Sequence, residues 1–183
     1  YSLPLRMKAN PLIGHLSHLQ GLSNKLRRLS FLGLTLWLGI APIRTANGQM
    51  FVEDWGYRMI REYTTSGVVV RSPLVTFPSG PAGPVGLALD GAGNIFAGDG
   101  NAGVVRKYTT AGATVNDLFI TGVGHPYEVL CDGNGHLFVA DALNCRVGVY
   151  DTTTGAALNA SLIQWTASPM AMTLDDSGHL FVG

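Results

Sequence analysis

Three stretches of the chain share one pattern of apolar, polar and glycine positions. In each, a proline precedes an aspartate by six residues, a glycine follows that aspartate after three, and a phenylalanine follows the glycine after three. The stretches are Pro84–Asp99, Pro126–Asp141 and Pro169–Gly183. Their glycines, Gly93, Gly135 and Gly178, follow one another at intervals of 42 and 43 residues. Matched spacings in three copies indicate an internal structural repeat.

Each copy predicts four short strands. The proline-led stretch alternates in polarity and predicts a first strand, with Leu87 and Leu89 on one core-facing side. The Asp-x-x-Gly segment predicts a hairpin turn, because aspartate bonds nearby backbone and glycine accepts positive φ. A second strand returns through the phenylalanine, and a third runs into a tyrosine. Fourth, weaker strands are predicted after Thr-Gly turns, at Val68 to Val70, Thr114-Val115 and Ala157-Leu158.

Four strands in a repeat of this length are typical of a β-propeller blade. Phe51–Asp54 matches Phe96–Asp99 from 45 residues upstream and predicts a partial first blade. We therefore expect an all-β propeller of four-stranded antiparallel blades, with about three blades present. Propellers close with about 4–8 blades, so the ring is expected to be incomplete, in residues 49–183.

Residues 1–48 predict a leader and a helical signal segment. A basic stretch at 25–28 precedes the apolar run Leu29 to Ala41, and Ala46-Asn47-Gly48 offers a small-x-small cleavage site. We expect a secreted or periplasmic protein, cleaved near Gly48. An uncleaved membrane anchor is the alternative, and any membrane contact is expected only through this segment.

Charge is distributed unevenly between these two regions. The formal net charge is zero, but all 12 acidic residues lie in 49–183, where six Lys and Arg leave a charge of −6. Phosphate binding needs clustered Lys and Arg, so nucleic acid is not expected as a partner.

The second copy resembles the NHL repeat, through Asp132–Asp141 followed by Asn144–Asp151. That resemblance implies a propeller of six or more blades, with TolB-like and lactonase-like propellers as relatives. We expect an exported binding or interaction scaffold that recognises a protein, a carbohydrate or a small molecule, with no catalysis and no cofactor in this chain. The alternative is a metal-dependent lactonase-like hydrolase or a lyase, with a divalent cation such as calcium in the channel of the complete propeller.

Residues that recur in every copy are interpreted as structural, since catalytic groups are usually singular. These positions are Asp90, Gly93, Asp99, Asp132, Gly135, Asp141, Asp175 and Gly178. The turn at Asp132 is predicted to be a hairpin rather than a calcium loop, because no Glu follows at the twelfth loop position. Cys131 takes a core-facing position, and its pairing with Cys145 is left open.

Polar residues that break the repeat are the candidates for function. His125, Tyr127 and Glu128 stand where the first copy has Gly83, Val85 and Gly86. They lie at a blade entrance, and the family's geometry implies that blade entrances surround the central channel. We predict a ligand site there, at the channel entrance, with no metal ligand among the three.

Overall fold

The computed structural model describes residues 48–78, 83–164 and 166–183, all of them in β-strands and connecting turns. The predicted leader and signal segment is residues 1–48, and all of it except Gly48 lies outside this described part. No helix of the described residues is long and apolar enough to cross a membrane.

Thirteen strands are formed by the described residues. They are β1 Gln49–Asp54, β2 Met59–Thr64, β3 Val69–Thr76, β4 Pro84–Leu89, β5 Asn94–Asp99, β6 Val104–Thr109, β7 Thr114–Thr121, β8 Pro126–Cys131, β9 His136–Asp141, β10 Arg146–Asp151, β11 Ala157–Gln164, β12 Met172–Leu174 and β13 Leu180–Val182.

Each repeat forms one antiparallel sheet, here called a blade. Blade 1 has the order β1-β2-β3, blade 2 β4-β5-β6-β7, blade 3 β8-β9-β10-β11, and blade 4 β12-β13. Successive blades meet mainly through their first strands, with β4 against β8 and β8 against β12. The boundary between two neighbouring blades is called a seam below.

One end of the blades is called the entrance end. Pro84 pairs with Asp99 and Pro126 pairs with Asp141, so β4 and β8 begin where the second strands of their blades end. The turns β1–β2, β5–β6 and β9–β10 therefore lie at this end, and the Asp-x-x-Gly turns lie at the opposite end.

The predicted all-β, four-stranded pattern is confirmed, and the fourth strands are longer than predicted. β3, β7 and β11 each span eight residues, although few of their side chains are buried. Register shifts interrupt their pairing with the third strands. A bulged, exposed strand gives little hydrophobic alternation, which explains why the sequence pattern marked only its beginning.

The hydrophobic core lies in the seams. Ile60, Ile95 and Tyr108 belong to a cluster between blades 1 and 2, whereas Phe96 and Leu137 belong to one between blades 2 and 3. Each large side chain that is fully buried contributes about 1.5–3 kcal/mol. Neighbouring side chains on one strand thus serve opposite seams, so that each blade is stabilised by both of its neighbours.

β4 departs from the predicted face. Leu87 packs in the first seam and Ala88 in the second, but Leu89 is 43% exposed. A register shift between Val85 and Leu87 changes the alternation within this short strand. The two cysteines are free thiols, and burial raises the pKa of Cys131 to about 12.

A backbone contact between the two turns opposite the entrance end recurs in blades 1, 2 and 3. Thr110 N donates to Gly93 O at 2.9 Å, and Thr152 N donates to Gly135 O at 2.9 Å. Thr65 N donates to Gly48 O at 3.0 Å in the same way. The repeat therefore reaches back to Gly48, three residues before the point at which the sequence pattern was recognised.

Two cations, the partly exposed Arg71 and the buried Lys107, join blades 1, 2 and 3 in succession. Arg71 of blade 1 pairs with the buried Glu62 and donates to the carbonyl oxygens of Thr110 and Ala111 in blade 2, both at 2.7 Å. Lys107 of blade 2 is 7% exposed and donates to Thr152 O of blade 3 at 2.7 Å. Its ammonium also lies over the rings of Phe96 and Phe119. These contacts satisfy the charges within the seams.

Candidate functional site

Asp141 positions the entrance of blade 3. Its carboxylate is buried and accepts hydrogen bonds from Gly124 N at 2.9 Å and His125 N at 3.1 Å. It also accepts from Asn144 Nδ2 at 2.7 Å and from Arg146 Nε at 3.0 Å. Although burial opposes ionisation, these donors hold the pKa of Asp141 below its usual value. A charged anchor thus fixes the backbone that carries the predicted site.

His125 and Tyr127 lie together at the rim of the entrance end. Their ring centroids are 5.8 Å apart, and Tyr127 is 36% exposed. The imidazole lies directly against Gly100, where an added Cβ would collide with the ring. A glycine in the β5–β6 turn is therefore required for the ring of His125 to lie across the second seam.

Glu128 is partly buried, as His125 is, and its neighbour is Glu53 of β1. The two glutamates flank Gly86: the backbone N–H of Gly86 acts to lower the pKa of Glu53, and a Cβ on Gly86 would lie 2.7 Å from Glu128 Cα. Gly86 has a φ of 71°, which side chains rarely adopt. This glycine lets carboxyl groups from blades 1 and 3 approach each other across blade 2.

Both carboxyl groups favour the protonated form more than an exposed glutamate does. Burial raises the pKa of Glu53, opposed by its hydrogen bond from Gly86. Burial raises the pKa of Glu128 as well, and the nearby charge of Glu53 raises it further. Oε2 of Glu53 is buried without a hydrogen-bond partner among the described residues. Such a pair can hold and release a proton closer to neutral pH than ordinary carboxyls.

Glu53 was missed by the sequence prediction, yet the repeat contains a signal for it. Aligned on the closing aspartates, Glu53 takes the place of Gly98, Ala140 and Gly183. A charged residue at a position otherwise held by small ones breaks the repeat, as Glu128 does at the position of Gly86. The structure brings these two exceptions together.

A third residue that breaks the repeat lies in the β1–β2 turn. Trp55 takes the place of Gly100 and Ala142, and the Trp55–Arg58 turn packs its backbone against Gly83 at the entrance of blade 2. Trp55 is 57% exposed and Tyr57 is 70% exposed. The β1–β2 turn therefore presents two aromatic rings at the same end as His125 and Tyr127.

The recurring aspartates opposite the entrance end close their own hairpins. Asp132 Oδ1 accepts from the backbone of Asn134 at 2.7 Å and of His136 at 3.1 Å, and its Oδ2 lies 2.6 Å from His136 Nδ1. Asp175 and His179 repeat this arrangement, with Oδ2 and Nδ1 2.8 Å apart. Asp90 uses Asn94 instead. Gly93, Gly135 and Gly178 each have positive φ in these turns. The aspartate carboxylates therefore already accept hydrogen bonds from within their own turns.

The described residues do not complete a metal site. No group of three or more His, Cys, Asp or Glu side chains in that part of the chain is placed to hold a metal ion. Glu53 and Glu128 offer two carboxylates, whereas calcium takes 6–8 oxygen ligands. The described residues therefore offer two carboxyl groups towards a divalent cation, and the cation of the alternative function stays a prediction.

Several solved structures resemble the fold of this chain. A gluconolactonase from Xanthomonas campestris, XC5397, matches with a TM-score of 0.60 and 17% identity over 75% of this chain and 50% of its own. Virginiamycin B lyase from Staphylococcus aureus also matches with a TM-score of 0.60 and 17% identity, over 75% of this chain and 45% of its own. A nidogen/laminin complex matches with a TM-score of 0.52 and 16% identity, over 62% and 43%.

The fold is a β-propeller. The chain spans about half the length of the propellers it matches. These identities establish the architecture and no shared activity. No protein-family model matches the chain, and no curated protein sequence matches it. The resemblance to NHL repeats in particular stays a prediction.

Proposed function

We propose that this chain is the ligand-binding part of an exported β-propeller, and that it binds at the entrance end without catalysing a reaction. The observation that supports the proposal is the meeting of repeat-breaking residues at that end. Glu53 and Glu128 lie around Gly86, with His125 and Tyr127 at the rim. Elsewhere the repeat positions of the described residues are occupied by contacts that maintain the blades.

A small set of polar fragments, titrated one at a time into the isotopically labelled full chain, tests this site. We expect amide shifts from bound fragments to cluster at Gly86, His125 and Glu128. Glu128→Gln should weaken these fragments at least several-fold, whereas Asp176→Asn, an exposed carboxyl opposite the entrance end, should not. Fragments that gather instead in the crevice beside Lys107, of about 420 Å³, would contradict the proposed site.

A second candidate is a propeller hydrolase or lyase. Two observations favour it: both propeller enzymes named above resemble the chain, and Glu128 has the raised pKa of a general acid. Proton release from D-glucono-1,5-lactone and consumption of virginiamycin B, each measured with and without calcium, test this candidate. Turnover that Glu128→Gln abolishes and Asp176→Asn leaves intact would replace the binding proposal with an enzymatic one.

Export is the remaining part of the proposal, and it rests on the sequence. We propose cleavage near Gly48, and the hydrogen bond that Gly48 O accepts from Thr65 N supports a mature chain that keeps this residue. Expression in a bacterial host, followed by amino-terminal sequencing of the periplasmic product, tests this. Recovery of the protein only in the cytoplasm with residues 1–47 intact would contradict export.

A further inference from the structure

Exposed aromatic rings are concentrated at the entrance end. Among the described residues four large aromatic side chains are exposed, and three of them, Trp55, Tyr57 and Tyr127, lie there. The fourth, Phe181, belongs to β13 of blade 4. Together with His125, which contacts Tyr127, the three entrance rings are called the ring surface below.

The exposed aliphatic side chains are distributed differently. Most lie on the outer strands β3, β7 and β11, at Val69, Val70, Val115, Leu118, Leu158 and Leu162. The entrance end also exposes two non-aromatic apolar side chains, Leu143 at 72% and Met170 at 48%. Aromatic rings are nevertheless found there and not on the outer strands, where the exposed apolar side chains are aliphatic.

The ring of Tyr57, in the β1–β2 turn, is held in place by polar contacts. The guanidinium of Arg61 lies over the ring of Tyr57, 5.3 Å from its centroid, and pairs with Asp54 at 2.9 Å. Asp54 also accepts a hydrogen bond from Tyr57 N at 3.0 Å. One face of the Tyr57 ring is thus fixed, so that a ligand stacking on the other face loses little conformational freedom.

The polar groups around the rings favour an uncharged ligand rich in hydroxyl groups. Arg61 and Asp54 neutralise each other, while the carboxyl groups of Glu53 and Glu128 offer hydrogen-bonding oxygens and, when ionised, disfavour an anion. A sugar ring presents C–H groups that pack on the electron-rich face of an aromatic ring, and its hydroxyls both donate to carboxylates and accept from guanidinium groups. A lipid or an apolar peptide would contact the exposed side chain of Leu143 as readily as the aromatic rings.

We infer that the ring surface binds an uncharged carbohydrate chain, with Trp55 and Tyr57 as one stacking subsite and His125 with Tyr127 as another. The two subsites lie at successive seams, one blade apart, and so an oligosaccharide contacts both while a monosaccharide contacts one. This inference rests on the proposed binding function and names its ligand class.

Affinity electrophoresis of the full chain in native gels tests the inference, with hydroxyethylcellulose, xyloglucan and soluble starch as separate probes. At least one of these should retard the protein. Trp55→Ala combined with Tyr57→Ala should abolish the retardation, and Tyr57→Phe should retain it because the ring remains. Leu143→Ala is the matched control, as exposed and at the same end, and should not change the mobility.

Chain length provides a second measurement. For the polysaccharide that retards the protein, we expect its hexasaccharide to bind at least tenfold more tightly than its monosaccharide, since linked contacts act together. Absence of retardation by all three polysaccharides overturns the inference. So does equal weakening by Leu143→Ala and by the double variant, which would indicate a general apolar surface. If polar fragments still shift Glu128 in either case, the binding site stands and only the ligand class is wrong.

Discussion

The closing aspartates of the first three blades make the same kind of contact, but they differ widely in burial and in their number of partners. Substituting them should therefore lower the free energy of unfolding by graded amounts. Asp54 accepts one backbone hydrogen bond and pairs with a half-buried Arg61. Asp99 is 7% exposed and accepts from Ala102 N and twice from Arg106. Asp141 is 1% exposed and holds four partner residues.

Substitution by asparagine keeps the size of each side chain and removes its charge. For Asp54→Asn we expect a loss of about 1 kcal/mol, as for an exposed ion pair and one turn bond. Asp99→Asn should cost about 2 kcal/mol, since Arg106 keeps a second acceptor in Asp117. Asp141→Asn should cost about 3–5 kcal/mol, because a cation and two backbone N–H groups lose a buried anion.

Guanidinium unfolding followed by circular dichroism measures the three losses, with the exposed Asp176→Asn as the control near zero. The difference for Asp141→Asn should also shrink with acidity. Because its folded pKa is lowered, its contribution is complete above the ordinary aspartate pKa and is lost as pH falls through the lowered value. Equal losses for the three variants, or a largest loss for Asp54→Asn, would refute the link between burial and contribution.

Three further predictions concern the entrance end. Glu53→Gln and Glu128→Gln should each raise the melting temperature at neutral pH, because the raised pKa values mean that burial penalises the charged carboxylates. The increase should disappear as the pH falls towards 4. Thermal scans from pH 4 to 8 measure this, and an increase independent of pH would contradict it. Gly86→Ala should cost about 2 kcal/mol or more, from positive φ and the collision with Glu128, and chemical unfolding measures it. Arg58 and Cys145 have positive φ values of 54° and 49° at the repeat position that Gly103 holds in blade 2. Because glycine adopts positive φ without strain, Cys145→Gly should stabilise the chain by about 0.5–1 kcal/mol. A destabilised variant would show that contacts of the thiol compensate for the strain.

The blades could be predicted from the sequence because their signals are local. Turn glycines, closing aspartates and alternating strands recur at fixed spacing, and each reflects chemistry within a few residues of itself. The register shift that exposes Leu89 has no such signal. The ion pair between Asp99 and Arg106 was likewise hidden, because the arginine follows at a different spacing from that of Arg146 after Asp141.

The candidate site was predicted in part for the same reason. His125, Tyr127 and Glu128 are consecutive or nearly so, and the repeat alignment exposes them as exceptions. Glu53 lies 75 residues earlier, in a blade recognised only from its second strand onward. Its meeting with Glu128 depends on the stacking of three blades, which no local pattern specifies. The aromatic turn at Trp55 was overlooked because turns vary between copies without penalty.

The pairing of small and large residues across the seams constrains how this protein can diversify. At the second seam a Cβ on Gly86 would meet the backbone of Tyr127 and Glu128, and a Cβ on Gly100 would meet the ring of His125. Where Gly100 faces His125, the seam therefore accommodates one large side chain, supplied by either blade but not by both. A new binding group at this level is acquired by a paired exchange, in which one blade gains a side chain and its neighbour gives one up. Relatives of this chain should accordingly differ at these positions in couples, with the sum of the two volumes kept nearly constant.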